Sequence, residues 1–236
     1  MSFTISVTEH ETSWILADTE SAGKILELFE RNPFGSFTGM DLDTSLKMKP
    51  YSREQILKEL AKGEIAGINV GSENPVKSWG AIKQNQLFDG FFLEIEPKDI
   101  SKVNLRYLKD YLRQWRKLFP KFSWADASAD DRDNDFWLDV AKTEPLPDCF
   151  GSRLGWYHVI GQRGYESFFR REDLLNTPAL NVEELNDGTI CILNYADPLD
   201  YSKPETTKKI IEITNYLTEK WYEFDPLPTF DMIEQT

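Results

Sequence analysis

The stretch Asp89-Gly90-Phe91-Phe92-Leu93-Glu94-Ile95-Glu96, a connector holding Pro97, and a helical pattern from about Lys102 to Phe119 form one strand-then-helix unit. A similar unit returns 98 residues later. There Asp187-Gly188-Thr189-Ile190-Cys191-Ile192-Leu193-Asn194 precedes a connector holding Pro198 and a helical pattern from about Pro204 to Trp221. Runs of aromatic and β-branched residues bounded by turn formers read as strands. The spacing exceeds the usual solenoid periods. It fits a duplicated half-domain, with half-repeats over 64–119 and 153–221, and it equally fits the strand-then-helix order common in α+β proteins.

Working outward, Phe3-Thr4-Ile5-Ser6-Val7 alternates apolar and polar residues, the period of a half-buried strand. A helix is expected from about Thr19 to Arg31, closed by Asn32-Pro33 because the residue before proline disfavours the α region. Ser52 and Gln55 form a capping-box pair for a second helix that buries Ile56, Leu57 and Leu60. Strands at Ile65–Val70, Ser78–Gln84 and Phe88–Ile95 read as an antiparallel meander. After Pro120, residues from Trp124 to Asp135 read as an exposed loop or helix start. Strand character resumes from Arg153 to Ile160, a short helix follows from Arg163 to Arg171, and Asn186-Asp187-Gly188 joins two strands as a hairpin turn. The expectation is an α+β fold, a mostly antiparallel sheet covered by helices. Residues 1–236 form one compact unit, since no glycine- and serine-rich linker divides them.

Forty acidic against twenty-seven basic residues give a formal charge of −13. Such a field repels nucleic-acid phosphates and anionic lipid heads, and it speeds association with a basic partner. Direct nucleic-acid or membrane binding is therefore disfavoured. Cys149 and Cys191 form no Cys-x-x-Cys pair, and no signal peptide or long apolar run is visible. These features read as a cytosolic protein with free thiols, Cys191 being a small buried hydrophobe within a strand.

Catalytic and cofactor signatures are lacking. No Gly-x-Ser-x-Gly, P-loop or Gly-x-Gly-x-x-Gly occurs, and the only histidines are His10 and His158. Asp131-x-Asp133-x-Asp135 matches the first ligands of a calcium loop, but Phe136 and Lys142 stand where such a loop needs glycine and glutamate. The expectation is no catalytic residue, no metal and no cofactor. The alternative is a divalent-metal hydrolase using the 126–139 aspartates, and a third reading is a scaffold that self-associates through sheet edges.

Aromatic and charged residues interleave in the same region. Asp126, Asp130, Asp131, Asp133 and Asp135 supply charge to steer a partner, and Trp137, Trp156 and Tyr157 supply rings that anchor one. Trp137 and Trp156 fit a core position as well.

Arg153-Leu154-Gly155-Trp156-Tyr157 is followed by Asp187-Gly188-Thr189-Ile190-Cys191-Ile192-Leu193, then by Asp200-Tyr201-Ser202-Lys203-Pro204-Glu205 and a helix containing Ile210-Ile211-Glu212. In this order the carboxyl-terminal half resembles the bacterial polymorphic-toxin immunity proteins, most closely the Immunity protein 52 family and the related type VI secretion immunity family. The amino-terminal third matches them poorly. The resemblance implies a cytosolic antitoxin that binds and blocks one cognate toxin, often nuclease-like, delivered by contact-dependent or type VI secretion. An acidic surface can occupy the basic substrate groove of such a toxin by mimicking phosphate.

Overall fold

The computed structural model describes residues 2–10, 19–42, 47–62, 67–84, 88–118, 122–130, 154–166 and 168–220. Ten strands join in one antiparallel sheet: β1 (Ser2–His10), β2 (Gly39–Asp41), β3 (Lys49–Pro50), β4 (Gly67–Ser72), β5 (Ser78–Gln84), β6 (Phe88–Ile95), β7 (Phe122–Asp130), β8 (Tyr157–Ile160), β9 (Asn181–Glu184) and β10 (Ile190–Leu193). Their spatial order is β3-β2-β4-β5-β6-β1-β7-β8-β10-β9. The helices are α1 (Thr19–Glu30), α2 (Arg53–Ala61), α3 (Leu105–Trp115), α4 (Gln162–Glu166), α5 (Arg171–Leu175) and α6 (Pro204–Lys220). Two 3₁₀ turns, Pro97–Lys102 and Pro198–Ser202, precede α3 and α6. The expected α+β class is what the chain adopts.

Burial along the strands shows which faces are covered. In β1 and β6 the buried residues alternate: Phe3, Ile5 and Val7, then Phe91, Leu93 and Ile95. β4 alternates in the same way, with Ile68, Val70 and Ser72 buried. One face of these strands is packed and the other is open, as the period-two pattern requires. All four residues of β8, and Ile190, Cys191 and Ile192 of β10, are buried. Continuous burial means that here both faces are covered.

The front face carries α1 to α3. Phe91 projects from it onto Phe29 of α1 and Trp115 of α3, with ring centroids 5.1 and 4.2 Å apart. Asn104 caps α3, its side-chain oxygen accepting from the amides of Arg106 and Tyr107 at 3.0 and 3.1 Å. Ser52 caps α2 as expected, accepting from the amide of Gln55. Asn32 is buried after α1 and satisfies the turn: its oxygen accepts from the Phe34 amide, and its nitrogen donates to the carbonyls of Phe29 and Gly35. The far end of α3 reaches β8 and β9 through Arg113, which donates to the Tyr157 hydroxyl at 2.6 Å and pairs with Glu183.

The back face over β8 and β10 carries α4 to α6. Ile160, Ile190 and Ile192 point to this side and are fully buried. Arg171 of α5 pairs with Glu184 of β9, and the Tyr216 hydroxyl of α6 donates to the Asp173 carbonyl at 2.8 Å. The two strand–3₁₀–helix units thus serve opposite faces. β6 and β10 lie four antiparallel steps apart and run parallel, so their 3₁₀ turns leave at the same end of the sheet and touch. Asp187-Gly188 does form the hairpin turn, with Gly188 at φ +80°. Asp89-Gly90, by contrast, lies inside β6.

Four local expectations need correction. Residues 122–130 are not a loop or helix start but β7, paired with β1 and β8. Ser-Trp-Ala-Asp-Ala-Ser-Ala-Asp alternates at period two, yet alanine and aspartate have weak strand preference, so packing on both sides decides. The helix after β6 is shorter than 102–119 because a 3₁₀ turn takes its start. The segment 163–171 divides into α4 and α5. The strand expected from Arg153 begins at Tyr157.

Candidate functional site

Strand register arranges the back face into rows. One row runs Gly39–Gly71–Trp79–Glu94–Thr4–Ser128 across β2, β4, β5, β6, β1 and β7. The next runs Asp41–Asn69–Ala81–Phe92–Ser6–Asp126–His158 and continues through Ile192 of β10 to Val182 of β9. Trp79 is 45% exposed and packs edge-on against Phe92, with centroids 5.0 Å apart. The Met48 side chain, 46% exposed, lies over Gly39 and Gly71, where a Cβ would meet its terminal methyl at 3.0 and 3.4 Å. Met48, Trp79 and Phe92 therefore form an apolar strip on a floor of small residues, with α4 and the second 3₁₀ turn standing against β7 at one side. Large apolar side chains grouped at the surface in this way mark interaction sites.

At the β7 end of this face, Asp126 and His158 are register partners projecting to the same side. Burial pushes the Asp126 carboxyl up to about 7, offset in part by a hydrogen bond from the Ser128 hydroxyl. Burial pulls the fully buried His158 imidazole down to about 4. His158 Nε2 accepts from the Gly155 amide at 3.0 Å, and Asn194 Nδ2 donates to the Gly155 carbonyl at 2.7 Å. The histidine is thus a neutral clamp on the Gly155 backbone.

The sequence-derived site residues divide. Asp126 lies on the back face beside His158, where α4 and the second 3₁₀ turn stand against β7. Asp130 ends β7, paired in register with Ser2. Asp131, Asp133, Asp135 and Trp137 lie outside the described residues. Trp156 and Tyr157 are 1% and 2% exposed. The Trp156 amide donates to the Ala127 carbonyl at 2.8 Å and its indole N–H donates to the Ala196 carbonyl, so these rings hold β8 against β7 instead of meeting solvent. Trp79, an exposed aromatic on this face, is not among the sequence-derived site residues. Its alternation with Gly80 inside an ordinary strand carries no signal of the face to which it points.

Gly155 shows why the Gly-Trp pair takes this form. A Cβ there would sit 2.7 Å from Ser128 Cβ and 2.9 Å from the Ala127 carbonyl oxygen. Gly155→Val is expected to destabilise the protein by about 1–3 kcal/mol through forced separation of β7 and β8, measured by urea unfolding.

Among the described residues, no group of three or more His, Cys, Asp or Glu side chains is arranged to hold a metal ion. Among the same residues, no helix is long and apolar enough to cross a membrane. No protein-family model matches the chain. No curated protein matches it either. Among solved structures the chain is similar to the Pseudomonas aeruginosa T6SS protein PA0821, at 12% identity and a TM-score of 0.47, covering 94% of this chain and 84% of that one.

Proposed function

We propose that this protein is a cytosolic immunity protein that binds one cognate secreted toxin, of a nuclease-like kind, and neutralises it by direct occlusion. The observation that carries the reading is the open back face, where an exposed aromatic strip lies on a chain of net charge −13. A protein that blocks a basic active-site groove needs an acidic field to find it and rings to hold it. The motif resemblance of the carboxyl-terminal half supports the same reading. In this reading Asp126, Asp130, Asp131, Asp133 and Asp135 supply the steering charge. Trp156 and Tyr157 support the strand beneath, and Trp79 takes the anchoring part. The chain is read as one α+β unit, with half-repeats over 64–119 and 153–221 arising from duplication of a strand–3₁₀–helix element.

Co-expression with the product of the adjacent gene tests the reading. A stable complex is expected, together with rescue of growth where that product is toxic alone. Its association rate should fall as salt rises, because exposed charges are screened beyond about 8 Å at physiological ionic strength. A harmless neighbour that does not co-purify would remove the proposal.

A further inference from the structure

We propose that the open back face receives a basic amphipathic helix of the toxin, laid over Trp79 and Phe92. This rests on the immunity reading and specifies the element recognised. Three observations select that occupant.

The first is backbone chemistry. Each of β4, β5, β6, β1 and β7 is paired on both sides, so the ladder already uses the main-chain donors and acceptors beneath this face. An extended segment laid on it would find no ladder to join and would bury unsatisfied amides, which is costly. A helix satisfies its own backbone internally. The protein covers the adjoining part of the same face, over β8 and β10, with helices α4 to α6, so an incoming helix continues an existing layer.

The second is the shape of the floor. Gly71, Thr4 and Ser6 are small and let a helix approach closely, while Met48, Trp79 and Phe92 rise as a strip. Strand spacing and rise make the floor from β4 to β1 about 19 Å by 17 Å, roughly 320 Å². A standard interface buries about 800 Å² per partner. The floor is thus undersized for a second copy of this chain packed sheet on sheet, but a helix of three to four turns, about 16–22 Å, fits it.

The third is charge. In the two rows that carry Trp79 and Phe92 the accessible acid is Glu94, since Asp41 is buried and burial holds the Asp126 carboxyl toward its neutral form, and neither row contains a lysine or arginine. Lys83 enters only in the following row, opposite Gly67. Two copies of a chain at −13 repel each other, whereas a helix bearing lysine or arginine beside its apolar stripe is attracted.

The test uses the full chain and the co-expressed adjacent-gene product, with a photo-crosslinking amino acid placed at position 79. Expected are crosslinks to partner positions three and four residues apart in a lysine- or arginine-bearing segment. Trp79→Ala should weaken binding about 30-fold or more, the scale of an interface hot spot. Trp79→Phe should retain most of the affinity, Glu94→Lys should weaken binding and flatten its salt dependence, and Tyr107→Ala, outside this face, should leave binding unchanged. Unchanged melting of each variant keeps folding out of the comparison. A complex that tolerates Trp79→Ala, or crosslinks that fall in an acidic or extended segment, overturns this inference and leaves the immunity reading standing. Crosslinks to a second copy, with dimers on sedimentation, overturn it in favour of self-association. Failure of any complex to form overturns both.

Discussion

Trp115→Ala is expected to lower the free energy of unfolding by about 3–5 kcal/mol, the range for truncating a large buried aromatic. Trp115 is fully buried, tilted against Phe91 at 4.2 Å and set edge-on to Tyr111 at 5.9 Å and 88°. Phe91 touches Phe29, Phe29 touches Phe37 at 4.8 Å, and Phe37 touches Tyr51 at 5.6 Å. One chain of rings thus ties α3 and β6 to α1 and to the segment that enters α2. Beneath α3, β7 presents the methyl groups of Ala125 and Ala127, which are too small to fill the space an indole leaves. The cavity therefore persists and adds to the lost transfer energy. Trp115→Phe should recover a good part of the loss, because a ring remains against Phe91. Trp79→Ala, on the exposed face, should stay within about 0.5 kcal/mol of wild type, as surface changes do. Urea unfolding followed by far-ultraviolet circular dichroism separates these cases. Equal midpoints for Trp115→Ala and wild type would mean that α3 does not cover this face.

The pH dependence of stability is expected to change sign with the residue removed from the Asp126–His158 pair. His158 moves from 6.5 unfolded to about 4 folded. Between those values the unfolded chain binds a proton that the folded chain refuses, so this group's contribution is complete above pH 6.5 and is lost as pH falls to 4. That loss amounts to about 3 kcal/mol. Asp126 moves from 3.8 unfolded to about 7 folded. There the folded chain holds a proton that the unfolded chain releases, so stability from this group falls as pH rises from 3.8 to 7. Over pH 4 to 6.5 each state binds one proton at the pair, and the two effects oppose. Wild type should therefore show little net dependence from it. Asp126→Asn removes the aspartate arm, so its urea midpoint relative to wild type should climb from pH 3.8 to 7. His158→Asn removes the histidine arm, so its relative midpoint should drop as pH rises from 4 to 6.5 and stay level above 6.5. Reading each as a difference from wild type removes the background of the other carboxylates. Parallel profiles for all three proteins would show that burial does not shift these groups.

Local signals were strong where a residue's own chemistry fixes the backbone. Ser52 and Gln55 placed the start of α2, Asn32-Pro33 ended α1, and Asp187-Gly188 set the β9–β10 turn. The alternation of Phe3, Ile5 and Val7 identified a half-buried strand. β7 escaped because its alternating alanines gain their strand character from what covers them, namely α3 on one face and α4 with the second 3₁₀ turn on the other. The short strands β2 and β3 escaped because three and two residues are too few to show a period. Trp156 illustrates the matching limit for function. A tryptophan beside charged residues reads equally as an anchor or as core, and here the Ala127 and Ala196 carbonyls draw it inward.

By itself the sequence determined the class of the fold, the boundaries set by caps and turns, and the acidic field, and it contains no Gly-x-Ser-x-Gly, P-loop or Gly-x-Gly-x-x-Gly motif. These follow from interactions within a few residues or from summed composition. Tertiary structure alone decided that the first strand inserts between β6 and β7, that both halves share one sheet, and that the two strand–3₁₀–helix units cover opposite faces. It also decided that Trp79 faces outward while Trp156 and Tyr157 do not. The physical reason is that a strand's period marks two faces without saying which will be covered. That choice is made only when residues far apart in sequence pair in register and helices settle on one side.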